Sequence, residues 1–71
     1  MLRDPIEDTE EYKRAMYLIQ PSLDSLNERL DRQGARMGRC HIYWKEQKEL
    51  LEILKIDWKT PAEMNPNTRF D

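Results

Sequence analysis

Apolar residues recur in this chain at alternating steps of three and four. Tyr12, Met16, Ile19, Leu23, Leu26 and Leu30 form one such series. Met37, Cys40, Trp44, Leu51, Leu54 and Trp58 form a second, interrupted by the polar Gln47. This spacing places each set on one face of an α-helix. The series predict an all-α helical hairpin of two amphipathic helices, followed by a short C-terminal helical turn and an extended tail.

Local signals place the ends of these elements. Asp4-Pro5-Ile6-Glu7 and Asp8-Thr9-Glu10-Glu11 each read as a helix start, and five acids between Asp4 and Glu11 suit the positive end of a helix dipole. Pro21 falls inside the first series. The apolar phase continues across it, so a kink near Pro21 is expected rather than a break. Gly34 and Gly38 in RQGARMGRC mark a turn. The second helix then runs from about Arg36 or Arg39 to Lys55. Thr60-Pro61-Ala62-Glu63 is a capping box that Asn65-Pro66 closes after one turn. Beyond it, Phe70 is a candidate anchor for the tail.

A competing reading carries the phase straight through Gly34. Twelve of fourteen stripe positions from Tyr12 to Trp58 are then apolar, as in one long helix of an intermolecular coiled coil. Two mid-helix glycines at roughly 1 kcal/mol each weigh against it, and short connections favour the hairpin.

The two series also set expectations for packing. Trp44 lies mid-stripe and is expected in the core. Trp58 is expected to pin the tail or to meet a partner. Tyr43 and Leu50 widen the second stripe. Two helices alone cannot cover both that flank and the main stripe, so the face is expected to be completed by a partner protein or by a second copy in a four-helix arrangement. Tyr43, Leu50 and Trp58 are the candidate protein-interface residues, being types that binding surfaces enrich.

Size and charge narrow the picture further. At 71 residues, 1–71 is expected to be a single small helical domain with a thin core. Charged residues make up 37% of the chain, yet the net charge is only -2. This balance fits a salt-bridged helical surface, with pairs such as Lys45–Glu49 and Glu52 with Lys48 and Lys55. No apolar run is long enough to span a bilayer, there is no signal-peptide core, and the one cysteine fits a reducing compartment. A cytoplasmic location is the expectation, with no membrane partner.

Candidate chemistry is sparse. Cys40 and His41 are adjacent, so on a helix they point ~100° apart and do not converge on a metal. No third group orients them as nucleophile and base. Phosphate loops, nucleophile elbows and metalloprotease motifs are absent from the sequence. The chain is therefore read as a non-enzyme, with no catalytic residues, metal ligands or cofactor. The charge asymmetry lies elsewhere: Arg29, Arg32, Arg36 and Arg39 cluster about the glycines, with six basic residues against two acids from Arg29 to Lys48. They are the candidate anion or nucleic-acid site. The simpler explanation is that they complement the carboxyl end of the first helix.

Two functions follow. The first is a protein-interaction module, as adaptor, regulator or inhibitor, working through its apolar face and as a homo-oligomer. The second is an anion or nucleic-acid binder using the arginine elbow.

Overall fold

The computed structural model describes residues 2–34 and 38–68. Both expected helix starts are used in succession. Asp4 accepts a hydrogen bond from the Ile6 amide at 3.0 Å and caps a 3-10 turn, Pro5–Asp8. Thr9 then caps α1, Glu10–Arg32, by accepting from the Tyr12 amide at 3.3 Å. Helix α1 is continuous through Pro21. It buries Ala15, Ile19, Leu23, Leu26 and Leu30, the apolar series shifted by one position at its start.

Gly34 has φ +69° and Gly38 φ +70°, left-handed conformations that glycine adopts without steric cost. The Gly34 amide bonds back to the Asp31 carbonyl at 3.1 Å, ending α1. Helix α2, Arg39–Ile53, packs back against α1. The longest dimension is 34 Å, whereas one helix through both series would exceed roughly 60 Å. The hairpin is therefore formed and the single long helix is not. Met37 and Phe70, on which parts of the sequence reading rest, lie outside the described residues.

A Schellman closure ends α2 two residues short of Lys55. The Ile56 amide donates to the Leu51 carbonyl and the Lys55 amide to the Glu52 carbonyl, both at 2.9 Å. Lys55 takes the left-handed position with φ +63°. The chain then turns back as a strap, 54–68, that contains α3, Pro61–Met64. Thr60 and Glu63 form the expected reciprocal capping box.

Trp58 pins the strap, as one of its two expected roles had it, but the deeper burial falls to Trp58 and not to Trp44. Trp58 is 2% exposed and sits in the core with Ala15, Ile19, Leu23 and Leu51. Trp44 is only half-buried at the edge of this cluster. Leu54, assigned to the core stripe from its spacing, is exposed. The helical phase fails beyond Ile53 because the backbone does, and Trp58 reaches the core from a strap instead of from a helix face. Among the described residues there is no strand, and no helix is long and apolar enough to cross a membrane.

Candidate functional site

The expected interface residues do not form a common exposed face. Trp58 is enclosed, its ring centroid 6.4 Å from that of Tyr12. The indole Nε1 donates to Glu7 Oε2 at 2.9 Å. It has no surface to offer a partner. Tyr43 and Leu50 are half-buried against the core cluster that Trp58 completes. The surface left over by two helices is thus partly closed by the strap of the same chain.

Two of the four arginines of the elbow are engaged. Arg39 Nη1 pairs with Asp31 Oδ1 at 2.5 Å, and Nη2 donates to the Asn27 carbonyl and Oδ1 at 3.2 and 3.3 Å. These bonds tie the start of α2 to the last turns of α1. Arg32 pairs with Glu28 at 3.5 Å on the exposed surface. Arg29 is exposed, and Arg36 lies outside the described residues. Of the helical pairs expected around α2, Lys48 turns instead to Glu63 Oε1 at 2.6 Å and so ties α2 to the strap.

A part-buried polar pair joins the first turn of α1 to α2. Gln47, the residue interrupting the second stripe, is 5% exposed. Its Nε2 donates to Tyr12 Oη at 2.9 Å and lies 3.3 Å from Met16 Sδ. Burial, with the negative charge of Glu7 nearby, pushes the Tyr12 phenol up to about 12. Both groups are used in cross-helix bonding, and no buried polar side-chain atom among the described residues lacks a partner.

Cys40 is half-buried, and the exposed His41 ring meets Trp44 edge-on at 5.7 Å. No group of three or more His, Cys, Asp or Glu is placed to hold a metal ion among the described residues.

What remains is a surface groove where α1 meets the end of α2. Ala15 lies in it, with Leu18 from α1 and Leu54 and Ile56 from either side of Lys55. Glu11 and Arg14 complete the lining. Leu18 is 66% exposed, and Ile53, next to Leu54, is 75% exposed. Sequence periodicity missed this site. Leu18 lies off the stripe of α1, and only the unforeseen reversal at Lys55 brings Leu54 and Ile56 beside it. The one available signal was that Tyr17 and Leu18 are large apolar residues on the polar side of a strongly patterned helix.

No protein-family model, curated protein or solved structure matches this chain.

Proposed function

We propose that this chain is a small protein-interaction module that associates with itself through the groove of Leu18, Leu54 and Ile56. The observation that carries the reading is the exposed apolar groove in which Leu18 of α1 meets Leu54 and Ile56 from beyond the end of α2. Contiguous apolar surface on so small a protein is a mark of a binding site. The rim favours a second copy as occupant. Glu11 and Arg14 carry opposite charges side by side, and neither has an ion pair among the described residues. In a two-fold contact with its axis through the groove, the Glu11 of each copy can pair with the Arg14 of the other.

The anion-binding reading is weaker, because Arg39 and Arg32 are committed to Asp31, Asn27 and Glu28. Sedimentation equilibrium tests the choice. A dimer at micromolar concentration that Leu18→Glu dissolves, with helix content unchanged, is the expected result. A monomer throughout the high micromolar range overturns it.

A further inference from the structure

The end of α2 has two competing solutions in this sequence. From Arg39 to Thr60 there is neither glycine nor proline, so nothing local stops the helix at Ile53. Leu51, Leu54 and Trp58 are spaced for one helical face, so an extended α2 would keep its apolar stripe up to the cap at Thr60. The closed chain instead reverses at Lys55, a non-glycine residue held at φ +63°, where a left-handed cap ordinarily selects glycine. The reversal persists because Trp58 fills a core seat made by Ala15, Ile19, Leu23 and Leu51, and because Lys48–Glu63, Glu7–Trp58 and Asp4–Lys59 fasten the strap.

We infer that the strap exchanges between two copies of this chain. In the exchanged dimer α2 runs on through Lys55, and the Trp58 of each copy fills the seat of the other. The Trp58 seat and the Lys48–Glu63 pair are then made between chains, while the Lys59 amide passes from Asp4 to the backbone of the extended α2 and the left-handed lysine is relieved. New contacts arise only around the hinge, and Leu18, Ile53 and Leu54 are exposed there. The inference rests on the self-association proposed above; because straightening at Lys55 takes Leu54 and Ile56 out of the closed groove, it replaces a groove-to-groove contact with an exchange of straps. It makes the second copy a contributor to each core, and it explains why a lysine rather than a glycine at position 55 suits a protein that opens.

The Lys48–Glu63 ion pair gives a direct test, because Lys48 precedes the hinge and Glu63 follows it. Equal amounts of 14N- and 15N-labelled chain are unfolded, refolded together and treated with a carbodiimide, which joins an amine and a carboxylate in contact. Monomer and dimer fractions are then separated and their linked peptides weighed. In the dimer, about half of the Lys48–Glu63 links are expected to be of mixed label, as random pairing of exchanged chains requires. In the monomer all links are of one label. Lys55→Gly relieves the closed hinge and weakens an extended helix, so it is expected to lower dimer affinity by about tenfold or more while the monomer folds normally. A dimer whose Lys48–Glu63 links are all of one label overturns the exchange and leaves self-association standing. A chain that stays monomeric at high micromolar concentration overturns both.

Discussion

Trp58 donates its indole N–H to Glu7 Oε2 at 2.9 Å, joining residues 51 positions apart in sequence. The bond fixes the orientation of the ring that fills the core, and it binds the strap to the N-terminal turn. Glu7→Ala leaves that N–H without its acceptor and is expected to cost about 1–3 kcal/mol. Glu7→Gln keeps an oxygen in place and is expected to cost less. Urea unfolding followed by tryptophan fluorescence measures both.

The Tyr12–Gln47 bond is expected to act as a unit. Tyr12→Phe and Gln47→Leu each remove it. Their double-mutant cycle is expected to give a coupling energy of about 1 kcal/mol. The raised Tyr12 phenol also predicts a pH effect. The folded state keeps the proton that the unfolded chain releases near pH 10, so this stabilisation is complete below pH 10. It is lost as the pH rises toward about 12. Denaturant titrations from pH 8 to 11.5 are expected to show the decline, and Tyr12→Phe to flatten it.

At low pH the strap is expected to loosen. The Ile6 and Lys59 amides hold the Asp4 carboxyl below its ordinary range. The Lys48 ammonium and the Thr60 amide do the same for Glu63. Depressed carboxylates stabilise the fold above their unfolded pKa and lose that contribution as the pH falls through the folded value. Stability is therefore expected to drop below about pH 4. Screening at these exposed groups keeps the effect modest. Asp4→Asn with Glu63→Gln is expected to shrink the difference between melts at pH 6 and pH 3.

Most of the helix ends were legible because they depend on local chemistry. Asp4, Thr9, the Thr60–Glu63 box and Gly34 each satisfy backbone groups within a few residues. The buried positions Ile19, Leu23, Leu26 and Leu30 were legible because α1 is regular over its whole length. The end of α2 was not. Every residue from Leu54 to Lys59 is compatible with helix, and only the burial of Trp58 against α1 makes the turn at Lys55 worthwhile. Periodicity has no access to that tertiary choice, so it placed Leu54 on the core face and gave no sign that Trp58 would be enclosed more fully than Trp44. The groove was hidden for the same reason. Gln47 looked like a gap in the stripe because its partner, Tyr12, is 35 positions away.

The account stands on the strap, and through it Trp58, supplying the core that two helices alone lack. Thermal melts of Trp58→Ala and Trp44→Ala, followed by far-ultraviolet circular dichroism under one set of conditions, test this most directly. Trp58→Ala is expected to cost about 3–5 kcal/mol, comparable to the whole stability of so small a domain, and to abolish the cooperative transition. Trp44→Ala, at the edge of the cluster, is expected to lower the midpoint and keep the transition cooperative. A Trp58→Ala protein that melts like the wild type, beside a Trp44→Ala protein that is unfolded, would contradict the account.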